Sequence, residues 1–226
     1  MKKRHIEETK TILREALVAH HPRIAIASSF SPEDNVLIDL ALGLNPASRV
    51  FAIDTGRLNE ETYETAEAIR RRYSLRIEWV FPSAESVQAL EREKGLFSFK
   101  ESSAARYECC GIRKVEPLSR ALEGLDAWIT GRRQGQGITR ASLASIETDS
   151  VHGGITKYNP LAVWTAEHIR AYTEIHRLPV NRLVGQGYPS IGCAPCTRAI
   201  SSGEDIRAGR WWWESPDHKE CGLHLK

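Results

Sequence analysis

Arg23-Ile24-Ala25-Ile26-Ala27-Ser28-Ser29-Phe30-Ser31-Pro32-Glu33-Asp34 is the stretch that decides the fold. Its first five residues are a short apolar run of the kind that forms a strand buried on both faces of a parallel sheet. Small hydroxyl residues follow, and a helix is expected from about Asn35 to Leu42. A strand that ends in such a loop and opens a helix turns backbone N–H groups and hydroxyls toward an anion. An ordinary Ser-rich helix cap accounts for the same residues. The loop is not a Walker A element, because it lacks Gly-Lys-Ser/Thr.

The same alternation extends on both sides. Ile6, Ile12, Leu13, Ala16 and Leu17 place apolar residues on one face of a first helix that Pro22 ends. Arg49 to Ile53 reads as a second strand closed by Asp54-Thr55-Gly56, and Asn59 caps a helix through Arg72. Arg76 to Phe81 is a third strand, followed by a helix near Glu85 to Lys94. Ala127 to Thr130 is a fourth, followed by the Gly-rich Gly131 to Gly137. This pattern predicts an α/β fold, a doubly wound, mostly parallel sheet flanked by helices. Ligands of such sheets bind beyond the carboxyl ends of the strands. The loops 28–34, 54–58 and 131–140 should therefore line one nucleotide site, with Asp54 placed for ribose or base.

A chain of 226 residues with 41% hydrophobic content can bury a full core, expected as one domain over 1–210 with a tail over 211–226. A net charge of +2 gives no bulk attraction to nucleic acid. Arg132-Arg133, Arg140, Arg198, Arg207 and Arg210 recur in the second half and suit a small polyanion. The charged start, Met1 to Glu8, does not resemble a signal peptide, and no run approaches a membrane span. The expected location is cytoplasmic, with no membrane partner.

Five cysteines carry the remaining signal. Cys109-Cys110 and Cys193-Ala194-Pro195-Cys196 bring four thiols from two short segments, a soft tetrahedral set that suits iron–sulfur or zinc. Structural disulfides are the alternative, but adjacent cysteines rarely pair with each other, and a reducing compartment favours ligands. Cys221 is left over on the polar terminal segment.

Taken together, Ser-Phe-Ser-Pro-Glu-Asp, Asp54-Thr55-Gly56, Cys109-Cys110-Gly111-Ile112-Arg113-Lys114, Gly131-Arg132-Arg133-Gln134, Cys193 to Arg198 and Glu220-Cys221-Gly222-Leu223-His224 resemble the phosphoadenylyl/adenylyl-sulfate reductase family, and within it the assimilatory adenylyl-sulfate reductases. The resemblance runs from about residue 24 to the C-terminus. It implies an adenine-nucleotide α-hydrolase-like fold and a 4Fe–4S cluster on Cys109, Cys110, Cys193 and Cys196. Because neighbouring side chains on a helix point about 100° apart, the backbone near Cys109-Cys110 should be strained or kinked. The resemblance also implies reduction of adenosine 5′-phosphosulfate (APS) to sulfite and AMP. Cys221 would be the nucleophile and carry an S-sulfocysteine, with thioredoxin or a glutaredoxin-like dithiol as the reductant. Ser28, Ser29, Phe30, Asp54, Thr55, Gly56, Lys114, Arg132, Arg133, Arg207, Arg210 and His224 are the implied substrate-binding residues. Lys114 would bridge cluster and substrate charge, and Arg207 and Arg210, three residues apart, would converge on the phosphosulfate. Trp211-Trp212-Trp213 is read as the anchor of the tail.

Three other readings fit parts of the pattern. They are a reductase of the 3′-phosphorylated substrate or of both nucleotides, a tRNA-thiolating iron–sulfur ATP pyrophosphatase, and a zinc-stabilised nucleotide-binding module. The last gives Cys221 no task. A homo-oligomer is compatible with the sequence.

Overall fold

The computed structural model describes residues 3–137 and 140–215. Two compact units emerge. One comprises the described residues of 1–52, 61–78 and 124–181, and the other those of 53–60, 79–123 and 182–226.

The first unit is built on a six-stranded sheet in the order β3-β2-β1-β4-β6-β5. The strands are β1 (Ile24–Ser28), β2 (Arg49–Ile53), β3 (Ile77–Val80), β4 (Ala127–Ile129), β5 (Ile146–Asp149) and β6 (Ile155–Tyr158). β1 is parallel to both of its neighbours, with Ala25 opposite Arg49 on β2 and Trp128 on β4. β6 continues the parallel set beside β4, and β5 closes the edge antiparallel to β6. Strand order reverses at β1, so the carboxyl ends of β1 and β4 bound a topological switch point, where open sheets bind ligands.

Helices α1 (Lys3–His20), α2 (Pro32–Leu44), α3 (Glu60–Tyr73) and α7 (Ala166–Ile175) belong to this unit. α2 starts earlier than the expected Asn35 because Ser31 caps it, its Oγ accepting from Asp34 N at 3.2 Å, with Pro32 opening the first turn. Val36, Leu37, Ile38, Leu40 and Ala41 are buried on all sides of α2, which packs against α1, α7 and β1. The expected strands and early helices are present within a few residues. The β5–β6 hairpin and α7 were not anticipated. Glu147, Asp149 and Lys157 dilute the apolar signal of these two strands.

α4 (Ala84–Lys94), α5 (Ser103–Cys110) and α6 (Glu116–Leu122) belong to the second unit. No helix among the described residues is long and apolar enough to cross a membrane.

On one face of the sheet edge, Lys157 is buried with its ammonium 4.5 Å from the centroid of Trp128 and 3.7 Å from Glu147 Oε1. Burial, reinforced by the charge of Arg132, pushes its pKa down to about 8 against the pull of Asp149 and Glu147. Unfolded lysine keeps its proton to about 10.4, so between these values the unfolded chain binds more protons and stability rises with pH. Relative to Lys157→Met, the wild type should therefore gain up to about 1.4 kcal/mol per pH unit from pH 8 to 10 in urea denaturation. A constant difference would show that the folded lysine stays charged.

Candidate functional site

α5 is capped by Ser102, whose Oγ accepts from Ala105 N at 3.1 Å, and ends on the cysteine pair. Cys110 has ordinary helical angles (φ −66°, ψ −36°), so the expected strain is not at the cysteine itself. The departure comes one residue later. Gly111–Val115 form a wide π-helical turn in which Glu116 N donates to Gly111 O before α6 resumes. Pro117, which has no N–H, leaves Arg113 O without its α-helical donor and favours the wider turn.

The second cysteine segment is stitched in by its main chain. Ala194 N donates to Arg57 O at 2.8 Å, and Asn59 Nδ2 donates to Gly192 O at 3.2 Å. Thr197 Oγ1 donates to Cys193 O at 2.9 Å, and Trp211 N donates to Cys196 O at 3.2 Å. Gly192 leaves room for the Arg210 guanidinium, which a Cβ there would meet at 2.2 Å and displace.

These connections gather Cys109, Cys110, Cys193 and Cys196 around one cavity, also lined by Arg57, Phe99, Arg106, Arg113, Lys114 and Trp211. All four cysteines are buried, and none forms a disulfide. The Thr55 hydroxyl lies 3.3 Å from Cys193 Sγ. Glu91 on α4 accepts from both Arg57 and Arg113, and Arg113 also donates to Thr55 O at 2.7 Å. Arg106 is fully buried, donates to Glu214 at 2.6 Å and faces the rings of Tyr107 and Trp211 at 4.2 and 4.6 Å. Burial and the neighbouring Cys193 push the Cys196 thiol up to about 12, with Lys114 and Arg210 opposing. Burial likewise raises Cys109, against Arg57 and Arg113. A soft metal group bound there would displace the thiol protons of Cys109 and Cys196. A single zinc ion, with Zn–S bonds of about 2.3 Å, draws its sulfurs to within roughly 4 Å of one another. Among the described residues, no three metal-ligating side chains are gathered closely enough to hold one ion.

The expected substrate residues fall into two sets. In the first unit, Asp34 Oδ2 accepts from Ser29 N and Ser29 Oγ, both at 2.8 Å, and the Ser28 hydroxyl accepts from Phe30 N. Phe30 is buried in the left-handed region at φ 58°, a costly turn for a bulky residue. Gly131 lies so close that a Cβ would meet Asp34 Oδ1 at 2.3 Å, which joins the loops after β1 and β4. Burial raises the Asp34 pKa against the Ser29 hydrogen bonds. Arg133 is engaged by Glu33 at 2.7 Å and by Trp164 O, and Arg132 donates to Glu147 at 3.2 Å. Both therefore hold neighbouring protein groups.

In the second unit, Asp54 closes a turn by accepting from Gly56 N, and Gly56 adopts φ 69°. Thr55 is buried toward the cysteines. Lys114 lines the cavity beside the cysteines. Arg207 and Arg210 both reach Trp211, 5.9 and 4.5 Å from its centroid, but along tight turns and without a helix. Cys221 and His224 lie outside the described residues. Arg57, Glu91, Arg106 and Glu214 were missed. Arg57 directly follows Asp-Thr-Gly, whereas nothing in the sequence connects Arg106 with Glu214.

The phosphoadenosine phosphosulfate reductase domain is matched over residues 23–199. A Burkholderia cepacia protein named adenosine 5′-phosphosulfate reductase is 49% identical, covering 91% of this chain and 82% of its own. The Neisseria meningitidis serogroup B protein of that name is 46% identical over 96% of this chain and 89% of its own. A chloroplastic 5′-adenylylsulfate reductase 3 of Arabidopsis thaliana is 47% identical over 94% of this chain and 48% of its own. Among solved structures, a phosphoadenylyl-sulfate reductase from Candida auris in a phosphate complex superposes with a TM-score of 0.72 at 25% identity, covering 88% and 98% of the two chains. A Candida glabrata FMN adenylyltransferase shares the fold alone, with a TM-score of 0.62 at 18% identity over 93% and 71%.

Arg106 and Glu214 have side-chain exposures of only 0% and 5%, so removing one charge strands the other away from water. Glu214→Ala should cost about 3–5 kcal/mol in urea denaturation of the full chain, as for other broken buried pairs. A loss under about 1 kcal/mol would show that water reaches the pair.

Proposed function

The chain belongs to the phosphoadenosine phosphosulfate reductase domain family, and we propose that it reduces adenosine 5′-phosphosulfate to sulfite and AMP in assimilatory sulfate reduction. One observation carries this reading: four buried cysteines share a cation-lined cavity in a chain nearly half identical to reductases of that nucleotide. Cys109, Cys110, Cys193 and Cys196 would hold a 4Fe–4S cluster. Four buried thiols from two short segments, sharing one cavity with Arg57, Arg113 and Lys114, support a soft polynuclear group. When bound, the cluster would tie the two cysteine segments together and contribute a fixed charge to the site.

The chain's own residues carry the chemistry. Ser28, Ser29, Phe30, Asp54 and Gly56 bind the nucleotide, and Lys114, Arg207, Arg210 and His224 neutralise and orient the phosphosulfate. The Cys221 thiolate attacks the sulfur, the S–O bond to the nucleotide breaks, and AMP leaves with the electron pair. Cys221 then carries the sulfonate. A thiolate of thioredoxin or a glutaredoxin-like protein attacks Cys221 Sγ and sulfite departs. The partner's second thiol closes its disulfide and frees Cys221, so the dithiol supplies both electrons. A cytoplasmic setting, which keeps such dithiols reduced, completes the reading.

Two measurements test it. The purified protein should bind about four irons per chain, and Cys193→Ser should lose most of them. Full activity in an iron-free protein would overturn the cluster. Cys221→Ser should retain iron and bind AMP, yet form no sulfonated enzyme and release no sulfite. Mass spectrometry of wild type incubated with APS alone should find the sulfonate on Cys221. A sulfonate on any other residue would exclude the mechanism.

A further inference from the structure

A row of aromatic rings runs from the cysteine core to the surface of the second unit. Phe99 packs in the cluster of buried residues with Cys109, Cys193 and Cys196, and Trp213 packs against it. The centroids of Phe99 and Trp213 are 5.9 Å apart, those of Phe99 and Phe97 6.1 Å, and those of Trp213 and Trp212 4.8 Å. The row ends in water. Phe97 is 61% exposed, Leu96 beside it 57%, and Trp212 39%. The Lys100 ammonium stands among them, 5.4, 5.7 and 5.6 Å from the Phe97, Trp212 and Trp213 rings. An aromatic cage for a foreign cation is thereby filled by the chain itself.

The exposed end is held firmly. Arg57 Nη2 donates to Leu96 O at 2.8 Å while bound to Glu91, and Lys100 N donates to Phe97 O at 2.9 Å. Large rings fixed in place and left in water cost solubility without helping the fold, and pre-ordered aromatics of this kind are typical anchors of protein interfaces. In sequence, Trp212 precedes Cys221 by nine residues, which a chain can span over at most about 30 Å.

We propose that Leu96, Phe97 and Trp212, around Lys100, form the landing surface for the dithiol protein that discharges Cys221. This rests on the function proposed above. The partner's thiolate must form a bond to Cys221 Sγ as the bond to sulfite breaks, so the partner must settle within the reach of the segment after Trp212. A redox dithiol protein with an apolar rim around its active thiol, and an acidic side chain to meet Lys100, fits the surface. A small dithiol has no use for it.

Phe97→Ser, with Leu96→Glu as a second variant, separates these cases. Three quantities are compared with wild type: sulfonation of Cys221 by APS alone, sulfite release by dithiothreitol, and the KM for reduced thioredoxin. Both variants should sulfonate and respond to dithiothreitol as wild type does, while the KM for thioredoxin rises at least tenfold. An unchanged KM, or equal losses with both reductants, would overturn the proposal. An unchanged KM with loss of an oligomer in sedimentation would assign the surface to a second copy of the chain. Failure of the wild type to sulfonate Cys221 would overturn the underlying function as well, and sulfonation with an unaltered KM would overturn the docking surface alone.

Discussion

Compensation of charge around four buried thiols is the constraint on which the second unit depends. Thiols in an apolar interior resist ionisation, and a soft metal group demands thiolates. The chain meets this with cations whose own burial is compensated in turn. Glu91 holds Arg57 and Arg113 together, and Glu214 holds Arg106. Each carboxylate keeps guanidinium groups against the cavity and stops them from turning to solvent. Lys114 completes the lining. An apolar lining of the same volume would leave any anionic centre uncompensated, and cations without their carboxylates would be costly before anything bound.

Local backbone devices then set where the sulfurs stand. A regular helix would splay Cys109 and Cys110 and send the following residues round at its usual pitch. The π-helical turn enabled by Pro117 changes that pitch immediately after the pair, while both cysteines and Lys114 still line the cavity. The Cys-Ala-Pro-Cys turn depends on neighbours for its position. Its amides and carbonyls are tied to Arg57, Asn59 and Trp211, and Gly192 leaves room for the Arg210 guanidinium. In this way the loop closing β2, the turn holding two cysteines and the segment with Arg210 and Trp211 become one hydrogen-bonded body.

Legibility in the sequence followed signal strength. Continuous apolar runs such as Ile24–Ala27 and Val50–Ile53 gave β1 and β2 almost to the residue, because a strand buried on both faces leaves no room for polar interruption. β5 and β6 escaped notice because their side chains form a polar network of Glu147, Asp149 and Lys157, where hydrogen bonds and charge replace apolar alternation. The cysteine set was legible from spacing, since few arrangements bring two such pairs together. Its ion pairs were not, because Arg106 and Glu214 are 108 residues apart and become partners only through the fold. Around Arg132 and Arg133 the sequence is silent in another way. A Gly-rich loop with two arginines reads as an anion site and gives no sign of the carboxylates beside it, where Glu33 and Glu147 engage both guanidinium groups and Arg133 ties the loop after β4 to α2.

The same burial that fits four cysteines for a metal centre excludes them from the transfer chemistry. In the proposed reaction the nucleophile has to meet the sulfur of a small anion and afterwards a thiol carried by another protein. Cys109, Cys110, Cys193 and Cys196 have exposures of 7–9%, closed off by Phe99, Trp211 and the arginines. No protein dithiol could reach them without opening the core of the unit. The two tasks therefore need separate cysteines under different rules of burial. Of the five in the chain, only Cys221 is left for the second task, and it follows in sequence the segment whose rings carry the proposed landing surface.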